Sequence, residues 1–229
     1  MNQTGTRQVR NPHVALADTP SLNDIKRLQR QIVRSLWLRG RPPLEGSTSA
    51  EELQYLAATA QRTGAKLIGE IGFNAGFSTQ AFLTHCPDAK VVSFDLVEHG
   101  YTKVAKKIVD EKFPGRHTLI PGDSTKSVPQ YARENPDVTF DLVFIDGGHD
   151  YEVAKADVLN MRQLCNAKTA VIIDDLTPWL KWGIGPTQAW TEAIKDGLVV
   201  QSEMFKDGDI VTTLEPPGKR VWALGRYLY

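Results

Sequence analysis

Acidic residues follow two apolar runs that have the length and composition of buried strands. The run DLVFI is followed by Asp146, and the run AVII is followed by Asp174 and Asp175. Their spacing suits one strand–helix–strand unit, so the three carboxylates are expected at neighbouring strand ends. Carboxylates that converge in this way repel each other strongly, and a hard cation such as Mg²⁺, which prefers oxygen ligands, resolves the repulsion. The alternative is that each Asp merely ends its strand and caps the segment that follows.

His149 lies three positions after Asp146, beyond Gly147 and Gly148. The two glycines allow the chain to turn so that the imidazole points back toward the acids. Imidazole titrates near neutral pH and is the side chain most often used as a general base. His149 is therefore the candidate base, with Asp146 as the second candidate catalytic residue. The alternative is a loop histidine that bonds to the backbone.

A glycine-rich turn joins another apolar run, LIGEI, to a helical pattern that opens at Ser78. Its residues Gly72, Asn74 and Gly76 allow the backbone to approach a ligand closely, and a helix N-terminus offers free N–H groups. The alternative is an ordinary strand–helix turn that needs two positive φ angles. Taken alone, the turn does not separate these possibilities.

Acids at two later strand ends favour a nucleoside pocket. Asp95 ends the run VVSFD, where a carboxylate can accept both ribose hydroxyls. Asp123 and Ser124 follow the next run, where the pair could meet an adenine amino group, although Asp123 is also a candidate N-cap for the next helix.

NAD and S-adenosylmethionine both carry ribose and adenine, and the glycine pattern distinguishes them. The G-x-G-x-x-G pattern that admits a pyrophosphate is absent from the turn. Glu70, inside the first strand, would repel a pyrophosphate but would suit a cationic ligand with an amino group. The pattern therefore favours S-adenosylmethionine.

The order of elements predicts which of these residues meet. Ser21 and Ser49 are N-cap candidates for two helices, and Gly64 ends the second. Five apolar runs then alternate with helical patterns, and the segments LVVQSEMF, DIVTTL and RVWALGRY are typical of closing antiparallel strands. This alternation predicts an α/β fold with a doubly wound, mostly parallel sheet, whose ligands bind beyond the carboxyl ends of the strands.

Length and composition fit one large domain with short N-terminal additions. We expect an arm at residues 1–20, helices that cap the cofactor and substrate at 21–64, and a catalytic core at 65–229. The 27 Lys and Arg balance the 27 Asp and Glu, so no nucleic-acid or membrane partner is expected. Without a bilayer-spanning run or a signal-peptide core, and with two cysteines outside any metal spacing, a reduced cytoplasmic setting is expected.

From Glu45 to about Trp190 the chain resembles the class I S-adenosylmethionine-dependent methyltransferases. It looks most like the divalent-metal-dependent O-methyltransferases that act on catechols, caffeoyl-CoA and macrolide sugars. The resemblance implies a Rossmann-like fold with a seven-stranded sheet, and it makes a homodimer plausible. It places the metal on Asp146, Asp174 and Asp175. The residues expected around the methyl donor are Glu45, Gly46, Ser47, Glu70, Gly72, Asn74, Gly76, Ser78, Asp95, Asp123, Ser124 and Asp146.

These observations predict Mg²⁺-dependent transfer of a methyl group from S-adenosylmethionine to a hydroxyl, with His149 as general base. Catechol-type enzymes have lysine at this position, and the difference favours a sugar acceptor, such as a glycoside or polysaccharide precursor, over a catechol or other phenol. Trp179, Trp182 and Trp190 suit either kind of ring, although Trp190 is expected on the buried side of its helix. An NAD-linked oxidoreductase and a nucleotide-binding module without catalysis are the alternatives from other classes.

Overall fold

The chain starts with two helices and then alternates strands with helices in the computed structural model, which describes residues 19–43 and 48–229. The helices are α1 (Leu22–Leu38), α2 (Ala50–Thr63), α3 (Phe77–His85), α4 (Gly100–Lys112), α5 (Ser124–Glu134), α6 (Tyr151–Met161) and α7 (Ile184–Lys195). The strands are β1 (Leu67–Ile71), β2 (Lys90–Asp95), β3 (His117–Pro121), β4 (Leu142–Ile145), β5 (Ala170–Ile173), β6 (Val199–Lys206), β7 (Asp209–Ile210) and β8 (Val221–Tyr227).

The strands form one sheet in the order β3-β2-β1-β4-β5-β8-β6-β7. The first five run parallel, and β8, β6 and β7 are antiparallel. The α/β doubly wound fold with antiparallel closing strands is therefore confirmed. The order reverses between β1 and β4, which is where ligands bind in folds of this kind.

The sheet has eight strands, so the expected count of seven was wrong. The outermost of the antiparallel strands, β7, pairs with the end of β6 across a two-residue turn. Asp207 and Gly208 both have positive φ, 52° and 97°, which is the geometry that an Asp-Gly hairpin turn favours.

Helices cover both faces of the sheet, and alternate strand residues enter separate cores. Ile172 packs in the core beneath α1 to α4, whereas its neighbours Val171 and Ile173 pack in the core beneath α5 to α7. The central strands are buried on both faces for this reason. Only their ends are left to carry polar side chains that meet a ligand.

The first two helices begin and end as their sequence predicts. The side chain of Ser21 accepts a hydrogen bond from Asp24 N, that of Ser49 accepts one from Glu52 N, and Gly64 ends α2 in the left-handed conformation. Among the described residues, no helix combines the length and apolar character that crossing a bilayer requires. The predictions for most of the 1–20 arm and for Glu45, Gly46 and Ser47 lie outside the described residues.

Candidate functional site

The turn after β1 lies directly against the end of β4. Gly72, Asn74 and Gly76 all have positive φ, at 93°, 48° and 75°. A Cβ atom on Gly72 would lie 1.9 Å from the backbone oxygen of Asp146, so no other residue fits there without displacing the chain. Helix α3 begins at Phe77, one residue before the expected start at Ser78.

A cleft of about 530 Å³ opens at the carboxyl ends of β1 to β4. Six of the residues expected around the methyl donor line it, together with His99. These six are Gly72, Asn74, Asp95, Asp123, Ser124 and Asp146. Backbone, carboxylate and hydroxyl groups thus surround a space large enough for a nucleoside.

Asp95 is held in place by the glycine turn. Its Oδ2 accepts a hydrogen bond from Asn74 N at 2.8 Å, and its Oδ1 accepts one from Val97 N at 2.6 Å. A carboxylate oxygen can accept more than one bond, so Asp95 still has acceptor capacity toward the cleft.

Asp123 caps α5 and also lines the cleft. Its Oδ1 accepts bonds from Thr125 N at 3.0 Å and Thr125 Oγ1 at 2.6 Å. These bonds to Thr125, and then those to Lys126, lower the pKa of Asp123. The carboxylate is therefore ionised and fixed. Asp123 is the N-cap of α5, as the alternative predicted, and it also lines the cleft.

Three of the expected donor residues, Glu70, Gly76 and Ser78, do not line the cleft. Glu70 is fully buried, and its carboxyl group accepts hydrogen bonds from the hydroxyls of Ser78, Thr79 and Ser93. The side chain of Ser78 is turned inward to make the first of these bonds. Direct contact with a ligand does not follow from this geometry, and Glu70 instead ties β1, β2 and α3 together below the turn.

The three acids of the opening motif come together at the ends of β4 and β5. Asp146, Asp174 and Asp175 each offer an oxygen within 4.8 Å of the other two. Burial, and then the charges of the other two, raise the pKa of Asp146, while burial and the nearby Glu52 raise that of Asp174. Oδ1 of Asp174 and Oδ1 of Asp175 are buried without a hydrogen-bond partner among the described residues. Buried carboxylate oxygens that accept no hydrogen bond and lie close to one another are a donor set that fits a hard divalent cation.

His149 lies beside these acids. Its Nε2 is 2.9 Å from Oδ2 of Asp175, and this hydrogen bond is the largest of the effects that raise the pKa of His149. About half of its side-chain surface is exposed, so the ring is accessible from solvent. A Cβ atom on Gly147 would lie 2.5 Å from Oδ2 of Asp157, which explains why the loop carrying His149 needs glycine.

Glu52 and Arg220 also belong to this group, although the sequence did not single them out. Glu52, on α2, is fully buried, and its carboxyl group lies against that of Asp174. Arg220 Nη1 is 3.8 Å from Oδ1 of Asp175. Glu52 lies three residues after the N-cap Ser49, where an acid is common in any helix. Arg220 lies just before the last strand and belongs to no recognisable motif. Neither position therefore indicates a functional residue from the sequence.

The tryptophans after β5 differ in exposure. Trp190 is 2% exposed, as expected for the buried side of α7. Trp182 is 43% exposed, and Trp179 donates its indole N–H to the backbone oxygen of Gly218 at 2.8 Å. Trp182 is thus the tryptophan of the three with most surface to offer a ring.

A comparison with family models finds one match in the middle of the chain. A family model described as a methyltransferase domain matches residues 70–176, the stretch from Glu70 to the residue after Asp175. A search of curated proteins finds no relative of significant similarity.

Solved structures show the same fold at low sequence identity. The O-methyltransferase from Bacillus cereus, solved in complex with SAH, has a TM-score of 0.68 at 17% identity, covering 93% of this chain and 94% of that one. The O-methyltransferase of tomaymycin synthesis from Streptomyces achromogenes, solved with SAM, has a TM-score of 0.69 at 15% identity, with 93% and 92% covered. A TDP-rhamnose 3′-O-methyltransferase of calicheamicin biosynthesis has a TM-score of 0.59 at 21% identity, with 92% and 95% covered. The chain thus has the Rossmann-like fold of these enzymes.

Proposed function

We propose that the protein, whose residues 70–176 match a methyltransferase domain, is an S-adenosylmethionine-dependent O-methyltransferase that uses Mg²⁺ and methylates a sugar hydroxyl. The observation that carries the proposal is the position of Asp146. It lines the nucleoside-sized cleft and also belongs to the acid cluster. A donor site and a cation site that share a residue suit transfer between two bound groups.

The cleft supplies the donor site. Asp95 accepts bonds from the ribose hydroxyls, and Asp123 with Ser124 meets the adenine. The glycine turn brings backbone N–H groups close to the remainder of the donor. Two enzymes of the same fold, solved with SAM and SAH, support this choice over NAD.

Asp146, Asp174 and Asp175 hold the cation. S-adenosylmethionine supplies the methyl group, and Mg²⁺ lowers the pKa of the acceptor hydroxyl. Asp175 serves two purposes, because its Oδ2 holds His149 while its Oδ1 has no hydrogen-bond partner among the described side chains. The acids also fix the position of the acceptor oxygen relative to the donor, and such positioning is a large part of catalysis.

His149 takes the proton from the acceptor hydroxyl. Its Nε2 is occupied by Asp175, which orients the ring and leaves Nδ1 as the atom that accepts the proton. The Asp175 carboxylate stabilises the imidazolium that results. This is the division of work found wherever a histidine base is oriented by an acid.

A sugar is the proposed acceptor class. The TDP-rhamnose 3′-O-methyltransferase shares the fold over nearly the whole chain, and the base position holds His149 where catechol-type enzymes hold lysine. Trp182 offers an exposed ring face, and an aromatic face can pack against a sugar ring.

The test is a panel of glycosides, nucleotide sugars and catechols with labelled S-adenosylmethionine. We expect transfer to a sugar hydroxyl, and we expect chelation or Asp174→Ala to abolish turnover while S-adenosylhomocysteine still binds, because the donor cleft is separate from Asp174. The measurements are methyl transfer by scintillation and binding by calorimetry.

Each part of the proposal has its own contrary result. Turnover confined to catechols would replace the sugar by a phenol, and full activity under chelation would remove the cation from the reaction. Binding of NAD in place of S-adenosylhomocysteine would favour an oxidoreductase instead.

A further inference from the structure

Glu52, near the start of α2, is a buried carboxyl group that the proposed reaction does not use. It is 0% exposed, and neither of its oxygens accepts a hydrogen bond from an N–H or O–H group of the described residues. Burying a polar group without a partner costs stability. The presence of Glu52 in this position therefore needs a reason other than folding.

A helix cap would be one such reason, and the geometry excludes it. The sequence Ser49-Ala50-Glu51-Glu52 has the form of a capping box, in which the last acid bonds back to the backbone N–H of the first residue. Ser49 Oγ does accept a bond from Glu52 N, at 3.1 Å. The reciprocal bond is missing, because neither carboxyl oxygen of Glu52 accepts a bond from an N–H group of the described residues.

The carboxyl group of Glu52 faces the acid cluster instead. It lies against Asp174, and burial together with the charge of Asp146 raises the pKa of Glu52 to about 8. Arg220 opposes this shift in the pKa of Glu52 and also lies 3.8 Å from Asp175. Asp174 in turn has one buried oxygen, Oδ1, without a partner. Glu52 thus adds a fourth acid, from a different element, to the three at the strand ends.

We propose that Glu52 is a positioning residue of the cation centre, which holds Asp174 from the side of α2. The inference rests on the proposed function, since it requires a cation on Asp146, Asp174 and Asp175. Groups behind the metal ligands orient them, and their removal typically lowers metal affinity about 10–100-fold. Binding of the ion would then also fasten α2 to the edge of the sheet.

The experiment measures Mg²⁺ affinity by calorimetry, with S-adenosylhomocysteine present, and the melting temperature of the metal-free protein. We expect Glu52→Gln to weaken Mg²⁺ binding about 10–100-fold. Glu52→Gln keeps a buried polar side chain that can donate to Asp174, so it should leave the melting temperature of the metal-free protein nearly unchanged. Glu52→Met, which removes the polar atoms at similar length, should also weaken Mg²⁺ binding but should raise that melting temperature by about 3–8 °C, because it removes a buried polar group.

Two further variants separate this inference from the proposal beneath it. Glu51→Gln is the matched control, because the side chain of Glu51 is next to Glu52 in the sequence but 41% exposed. This variant should leave the Mg²⁺ affinity and the melting temperature unchanged. Asp174→Asn reports on the centre itself. If the unaltered protein binds no Mg²⁺, or Asp174→Asn binds it equally well, the cation centre and the role of Glu52 both fail. If Asp174→Asn abolishes binding but Glu52→Gln retains full affinity, whatever its melting temperature, only the role of Glu52 is overturned.

Discussion

At the scale of single residues, the pair formed by His149 and Asp175 is the part of the site most directly open to test. Glutamine at position 149 can still bond to Asp175 but cannot accept a proton. We expect His149→Gln to lower turnover about 10²–10⁴-fold, the usual contribution of a general base, while the affinity for S-adenosylhomocysteine stays the same. Single-turnover transfer of a labelled methyl group measures the first quantity, and calorimetry measures the second.

A histidine elsewhere in the chain provides the control. His85 is the last residue of α3, at the end of the helix opposite the cleft, and His85→Gln should transfer the methyl group at the original rate. If His149→Gln also kept that rate, another group or water would have to be the base.

The sequence located the residues of the site more reliably than it assigned their partners. Asp146, Asp174 and Asp175 could be placed together because parallel strands that are neighbours end at the same edge. Glu70 could not be understood in the same way, since the three hydroxyls that surround it come from α3 and β2. Glu52 was hidden by a pattern that usually signals a helix cap.

At the scale of elements, the turn between β1 and α3 is held by contact with β4. Alanine at a left-handed position costs about 1–2 kcal/mol on its own. We expect Gly72→Ala to cost a further 1–3 kcal/mol or more, roughly the penalty of overpacking, because its Cβ would collide with the backbone of Asp146. It should also weaken binding of S-adenosylhomocysteine, because Asn74 and Asp95 are held by the same turn. Urea unfolding measures the stability difference.

Gly115 is the matched control for this prediction. It has a φ of 70°, and a Cβ atom there would meet nothing within 4 Å. Gly115→Ala should therefore show the conformational cost alone and leave ligand binding unchanged. Equal losses of stability in the two variants would show that the contact with β4 does not constrain the turn.

The strands themselves were largely predictable, because each is a short apolar run with a polar end. The expected count of seven came from the resemblance rather than from the runs, of which the sequence has eight. The run DIVTTL was longer than the strand it gives, since β7 covers only Asp209 and Ile210, followed by one further backbone bond from Val211 N to Met204 O. Pro216 and Pro217 follow soon after, and proline cannot donate to a ladder.

At the scale of the whole molecule, a buried histidine makes stability depend on pH. His117 is bonded to Ser93, at 3.0 Å from Nε2 to Oγ, and stacks on Phe73. Burial, and then Lys106, lower the pKa of His117 to about 3, with Asp110 opposing them. Below pH 6.5 the imidazole of His117 binds a proton in the unfolded chain but not in the folded one. The free energy of unfolding therefore decreases as the pH is lowered from about 6.5 to about 3.

From this shift we expect His117 to account for about 2 kcal/mol of lost stability between pH 7 and pH 5. His117→Gln keeps a polar side chain that does not titrate, so its stability should fall less over the same interval. Urea unfolding of both proteins at the two pH values gives the comparison, in which other titrating groups cancel. Identical pH dependence in the two proteins would remove His117 as the cause.

The shortness of β7 limits how copies of this chain can associate. An outer strand normally leaves a row of unpaired backbone groups onto which another chain can add. Here the outer strand has two residues, both exposed, and it follows directly from a tight turn. Too little of a ladder is presented for a second copy to extend the sheet from this side, so a homodimer formed at this end of the molecule would be built from helix faces rather than from continuous strands.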